Sequence, residues 1–209
     1  AGSAIADRVR ALGREVTGHR VDFAVREQTA AFARVLAERE RPADILVNNA
    51  GMIKRAPAAD HPADWFDEVL EVDLASGFLL AQAAGRRMLA AGRGRILFTA
   101  SLLSFQGGVF VPGYAAAKSG VAGLVRALSN EWAGQGVTVN GIAPGYIATD
   151  NTQALQDDPD RSRAILERIP AGRWGRAEDL GGAAVFLASD AAQYVTGAII
   201  PVDGGWLGR

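Results

Sequence analysis

Short apolar runs, each closing on Asn, Ser, Gly or Pro, alternate along the chain with longer stretches in which apolar residues recur every three to four positions. The runs are DILVNNAG (44–51), RILFTAS (95–101), VTVNGIAPG (137–145) and GAIIPVDGG (197–205), with a weaker one, VTGHRVDFA, at 16–24. Runs this continuously apolar suit strands buried on both faces, as in a parallel sheet covered by helices. Helical periods fill the intervals: Phe32, Val35 and Leu36 within 26–40; Trp65, Val69, Leu74, Phe78 and Met88 within 62–91; Val121, Val125, Leu128 and Trp132 within 114–133; Leu180, Ala184 and Leu187 within 177–188. Such alternation predicts an α/β fold, a doubly wound parallel sheet with right-handed crossovers, as one domain over 1–209. The polar stretch ATDNTQALQDDP (148–159) follows a strand's carboxyl end and reads as an irregular, mobile segment.

Composition narrows the function classes. A net charge of -1 gives no electrostatic reason to bind nucleic acid or an anionic membrane. Absence of cysteine excludes disulfides, thiolate metal sites and cysteine nucleophiles, and two histidines, His19 and His61, are too few for a histidine-rich metal cage. No apolar run reaches the roughly 18 residues needed to span a bilayer, and the first residues lack a basic-apolar leader pattern. A cytoplasmic enzyme or binding protein for a small molecule is the resulting expectation.

In open parallel sheets, ligands bind outside the carboxyl ends of the strands. That rule gathers Asn48–Gly51, Ser101 and Pro144–Thr149 on one rim. Tyr114 and Lys118 follow Pro112-Gly113 and lie four apart, on one face of a helix, so phenol and ammonium can address one cavity. A phenol is a poor acid or base at neutral pH, and a neighbouring ammonium favours its phenolate. A bare pair at this spacing is more often a surface feature; Ser101, thirteen residues before Tyr114, alters the balance because its hydroxyl can bond the same substrate oxygen. Ser104 competes for that role. Gly51 can let a flat ligand approach the backbone, or close a simple turn. Asp22 can accept from an exocyclic amine, or cap the next helix.

Taken together, these residues resemble the short-chain dehydrogenase/reductase family. NNAG, the Ser-thirteen-Tyr-xxx-Lys spacing, PG with a threonine four after Gly145, and the closing DGG stand in the family's order from about Val16 to Gly205. The resemblance implies NAD(P)-dependent interconversion of an alcohol and a carbonyl, with NAD as the first expectation and NADP as the alternative. Tyr114 would be the general acid/base, Lys118 would tune it and bind the nicotinamide ribose, and Ser101 would orient the substrate oxygen. Asn48, Ala50 and Gly51 would line the adenosine ribose, Asp22 would reach the adenine, and Pro144, Gly145, Ile147 and Thr149 would hold the nicotinamide end. Within the family, SFQGG, ATDNTQAL and RIPAGRWGRAEDL are similar to the branch of 2-deoxy-D-gluconate 3-dehydrogenases and 2-dehydro-3-deoxy-D-gluconate 5-dehydrogenases. That likeness implies a deoxy sugar acid as substrate, with Gln106, Asn151, Thr152 and Gln153 as polar contacts. Arg173 would meet a carboxylate or form a structural ion pair. The long helices within 62–91 and 114–133 resemble those that pair across the family's dimer axis, which implies a homotetramer.

Two positions depart from the family's pattern. Where it places an asparagine, in a VNL-like setting, this chain has Asp73; an ionised aspartate accepts hydrogen bonds but cannot donate them, and Asp73 is expected as a catalytic residue that a proton relay from Lys118 through water could still use. The opening strand, glycine-rich turn and second strand that cradle a pyrophosphate do not occur near residue 1. AGSAIADRVRALG reads instead as the helix before the third strand, so the domain is expected to be N-terminally incomplete, lacking the first two strands. Three readings of the start stand side by side: the tail of a longer chain, a fragment, or a short protein that does not hold a dinucleotide in the ordinary way. Intact later motifs favour the first. A 3-oxoacyl thioester reductase and a non-catalytic scaffold are the alternative functions.

Overall fold

Each of the four stronger apolar runs forms a strand: β1 (Ile45–Asn48), β2 (Gly94–Thr99), β3 (Val137–Pro144) and β4 (Ile199–Val202). In the computed structural model, which describes residues 4–209, the strands pair in the order β1-β2-β3-β4 and every pair is parallel. The register sets Asn48 beside Phe98, Thr99 beside Ile142 and Pro144 beside Val202. All strand exits therefore open on one rim, as the sequence led us to expect.

Among the described residues eight α-helices accompany the sheet: α1 (Ala4–Ala11), α2 (Arg26–Glu38), α3 (Ala63–Leu70), α4 (Ser76–Ala91), α5 (Pro112–Trp132), α6 (Gln153–Gln156), α7 (Pro159–Arg168) and α8 (Gly181–Ala188). Side chains alternate across the strands. Ile96, Phe98, Val137, Val139 and Ala143 meet Ala81, Ala84 and Met88 of α4 and Val121, Val125 and Leu128 of α5. On the other face Leu97 and Ile142 meet Leu187 of α8 and Ala192. Burying each larger side chain contributes roughly 1.5–3 kcal/mol, so helices on both faces hold the sheet. A third cluster of Leu102, Ile165, Ile169 and Trp206 ties α7 and the chain's end to the segment after β2.

Three regions differ from expectation. Residues 16–24 form no strand. A lone strand leaves its amides and carbonyls without a ladder, and no described strand pairs with β1 on its outer side. Residues 148–159 are more regular than their polarity suggested: Asp158 accepts from the Asp160 and Arg161 amides, and Pro159 takes the first turn of α7. Asp-Pro is a helix-start signal rather than a loop signal. Finally, the period over 62–91 is not one helix. Glu71–Ala75 form a π-helical turn between α3 and α4, and Asp73, at its centre, is buried.

Candidate active site

Pro112 begins α5, where its missing N–H costs nothing, and the helix then carries Tyr114 and Lys118 one turn apart. The Lys118 ammonium lies 5.3 Å from the Tyr114 ring centroid. It is almost wholly buried, donates to the Thr99 carbonyl at 2.9 Å, and sits 3.2 Å from Asp73 Oδ2. A charge removed from water needs such partners.

Asp73 is held as firmly. Its side chain is fully shielded from solvent, and its Oδ1 accepts from the Met52 amide at 2.7 Å. Oδ2 faces the ammonium without a well-directed hydrogen bond, so the pair is coulombic in character. Burial pushes the Asp73 carboxyl above the ordinary carboxylate range; the Lys118 charge and then the Met52 N–H oppose that rise. Gly51 makes the arrangement possible. A Cβ there would stand 3.1 Å from Asp73 Oδ2, so the bare backbone expected to admit a flat ligand first admits a carboxylate.

Ser101 opens a single 3-10 turn, Leu102–Ser104. Its Oγ accepts from the Leu103 amide at 3.2 Å, which leaves the hydroxyl proton uncommitted and able to point at a substrate oxygen. Ser104 Oγ accepts from the Ser101 amide at 3.3 Å and donates to the Lys118 carbonyl at 2.8 Å. Ser104 is thereby spent on structure, which resolves its competition with Ser101. Ser119 adds a bond to the Leu103 carbonyl, fastening the turn to α5.

The other candidate residues separate into groups. Asn48 donates to the Gly77 carbonyl at 3.3 Å, and its own buried carbonyl oxygen has no partner in the protein. Ala50 and Gly51 are exposed beside it. Gly145 is dictated by packing, since a Cβ would come 2.5 Å from the Asp203 backbone. Ile147 is buried and bridges to Gly175, whereas Thr149 is exposed at the rim. Asp22 is exposed and accepts from the Ala24 amide, a turn just ahead of α2. Gln106 accepts from the Trp206 indole at 3.4 Å, Gln153 donates to Asp157, and Asn151 is exposed. Thr152 bonds the Ile147 and Thr149 carbonyls and so organises its own segment. Arg173 grips Asp179 through both guanidinium nitrogens, at 2.7 and 3.0 Å, the structural ion pair of the two expectations. The Arg173 hydrogen bonds and the Arg176 amide hold the Asp179 carboxyl well below its ordinary range.

Sequence reasoning missed the Thr99 carbonyl, the Met52 amide and the bond from Thr99 Oγ1 to Asn49 that ties β2 to β1. Backbone groups carry no residue-type signal. The π-helical turn was equally hidden, because an apolar period reads through it.

The unpartnered Asn48 carbonyl oxygen and the Lys118 ammonium beside Tyr114 are polar groups that a nicotinamide dinucleotide could engage. A mostly apolar cleft lined by Phe23, Phe32, Leu46, Val47, Asn48 and Leu80, among others, opens outside β1. Lys118 and Tyr114 would meet the nicotinamide ribose.

A family model described as enoyl-(acyl carrier protein) reductase matches residues 2–207. The chain is 58% identical over 208 residues to a 2-dehydro-3-deoxy-D-gluconate 5-dehydrogenase of Pseudoalteromonas atlantica, covering 100% of this chain and 82% of that protein. A Beutenbergia cavernae crystal structure with bound NADP at low occupancy superposes with a TM-score of 0.95 at 51% identity, over 98% of this chain and 82% of that one. A gluconate 5-dehydrogenase from Burkholderia cenocepacia, in complex with NADP and tartrate, gives a TM-score of 0.92 at 38% identity, over 98% and 80%.

Proposed function

The chain belongs to the short-chain dehydrogenase/reductase family of oxidoreductases, and on that premise we propose that it interconverts a secondary alcohol and a ketone on a deoxy sugar acid, with 2-dehydro-3-deoxy-D-gluconate as the leading substrate. One observation carries the reading. A buried ammonium, fixed by Thr99 and Asp73, lies against the Tyr114 ring, and the Ser101 hydroxyl proton is uncommitted nearby.

The cofactor supplies the hydride acceptor or donor when bound. Tyr114 takes the substrate hydroxyl proton during oxidation and returns it during reduction. Ser101 donates to the same oxygen and fixes its position. Lys118 holds positive charge where the phenolate develops. Asn48, Ala50, Gly51 and Asp22 line the adenosine side, while Ile147, Thr149 and the backbone of Pro144 and Gly145 face the nicotinamide. Gln106, Asn151 and Gln153 contact the polar substrate. NADP is the first cofactor to test, because two similar structures hold it. Among the described residues no helix is long and apolar enough to cross a membrane. We extend the proposal to a cytoplasmic homotetramer built from a single dinucleotide-binding domain; sedimentation measures the assembly.

The test is a substrate and cofactor panel. Reduction of NADP or NAD by 2-dehydro-3-deoxy-D-gluconate, well above that by simple secondary alcohols, is expected. Oxidation of NADPH by an acetoacetyl thioester alone would assign the acyl-reductase alternative. Absence of binding of both NADPH and NADH by fluorescence would leave only the scaffold reading.

A further inference from the structure

Three features converge on Asp73 that packing alone does not require. A π-helical turn presents its carboxylate inward. The Met52 amide fixes Oδ1 at 2.7 Å, which aims Oδ2 at Lys118. Gly51 leaves the space Oδ2 occupies. An asparagine would satisfy Met52 equally well through its carbonyl oxygen, so the hydrogen bond does not explain the acid. What the acid adds is a negative charge 3.2 Å from the ammonium.

We infer that Asp73 is a positioning residue that acts through Lys118 as its counter-charge, weakening the positive field at Tyr114 and setting the pH at which the phenol ionises. In a site shielded from water, a charge at this distance acts strongly on its neighbour. An unopposed ammonium would favour phenolate at lower pH; Asp73 offsets part of that pull. Other ionisable groups on the packed elements are engaged elsewhere or lie at the surface. Glu71 pairs with Arg26, and Glu68 of α3 pairs with Lys54. Asp64 and Asp67 of α3, Arg86 of α4 and Arg126 of α5 are exposed, and Arg87 bonds the Ala37 carbonyl. His61 bonds the Pro62 carbonyl, and Arg95 of β2 pairs with Asp190 at the far end of the strand. The turn Leu102–Ser104 carries no ionisable side chain, and neither does β3. Glu131 of α5 is likewise exposed, so of these charged side chains Lys118 lies against the Tyr114 ring and Asp73 reaches it through Lys118.

The inference rests on the proposed role of Tyr114, but its test does not need turnover. The tyrosinate ultraviolet band is titrated in the wild-type protein, in Asp73→Asn and in each with Tyr114→Phe; subtraction isolates Tyr114 from Tyr146 and Tyr194. In Asp73→Asn, the Tyr114 band is expected to rise at lower pH than in the wild-type protein. The pH profile of alcohol oxidation should move the same way. Asp73→Ser, which also removes the negative charge, is expected to move the band in the same direction and serves where Asp73→Asn does not fold. An unmoved Tyr114 band in either folded variant would overturn the inference, and uniform loss of rate without a change of profile would leave Asp73 a structural residue. No turnover by wild type, with the band shifted as expected, would instead reject the function and leave the electrostatic assignment standing.

Discussion

At the carboxyl end of β2, Ser101, Ser104, Thr99, Lys118 and Asp73 hold one another through side-chain and backbone bonds, and Lys118 and Asp73 are buried. At the carboxyl end of β1, on the same rim, Asn48 makes one side-chain bond and keeps a buried oxygen without a partner. Ile45 and Val47 of that strand are 47% and 54% exposed. Groups that move protons are thus set in place by the protein itself. Those assigned to the adenosine are more sparsely tied among the described residues. Preorganisation matters most where charge develops in a reaction, and least where binding energy only recruits the cofactor.

Removing one member from each exit sharpens that contrast. Asp73→Ala is expected to cost about 3–5 kcal/mol in chemical denaturation, because it leaves the buried Lys118 ammonium without its counter-charge. A loss under about 1 kcal/mol would show that the pair is not a structural keystone. Ser104→Ala should cost roughly 1–2 kcal/mol, since the Lys118 carbonyl and the Ser101 amide both lose a partner; its kcat should fall while KM for the cofactor stays unchanged. Asn48→Ala removes one bond and one orphaned oxygen together, so its effect on stability should be smallest, about 1 kcal/mol or less. Its effect on NADPH affinity should exceed its effect on kcat. If Asn48→Ala proves as costly as Asp73→Ala, the two exits are not built differently.

A pH series tests the buried carboxylate. Burial raises the Asp73 carboxyl in the folded state above its ordinary value of 3.8. Between those two values the folded protein binds the proton and the unfolded chain does not, so wild-type stability falls as pH rises through the window. Asp73→Asn has no such proton. The difference in unfolding free energy should therefore move in the variant's favour as pH rises from the ordinary carboxylate range, and a flat difference would contradict the burial effect.

Much of this was legible beforehand, for physical reasons. Strands buried on both faces leave continuous apolar runs, which is why β1 to β4 and the rim could be read. The closeness of Tyr114 and Lys118 was legible through their spacing on one helix, and attention fell on Asp73 through its departure from an expected asparagine. The failures share another cause. VTGHRVDFA has strand-like residues, but a strand requires a neighbour, and sequence pattern is local. The packing of Gly51 against Asp73 and of Gly145 against Asp203 was not legible either, because those contacts join residues distant in sequence. The direct Asp73–Lys118 contact depends on a turn widened by one residue, which hydrophobic periodicity does not resolve.

The most direct test of the central claim is Tyr114→Phe, with turnover of 2-dehydro-3-deoxy-D-gluconate and NADPH binding measured on the same preparation. A fall in kcat of about 10²–10⁴-fold with unchanged NADPH affinity is the predicted result. Turnover that survives the loss of the phenol would contradict the account, because Tyr114 is the group assigned to carry the proton.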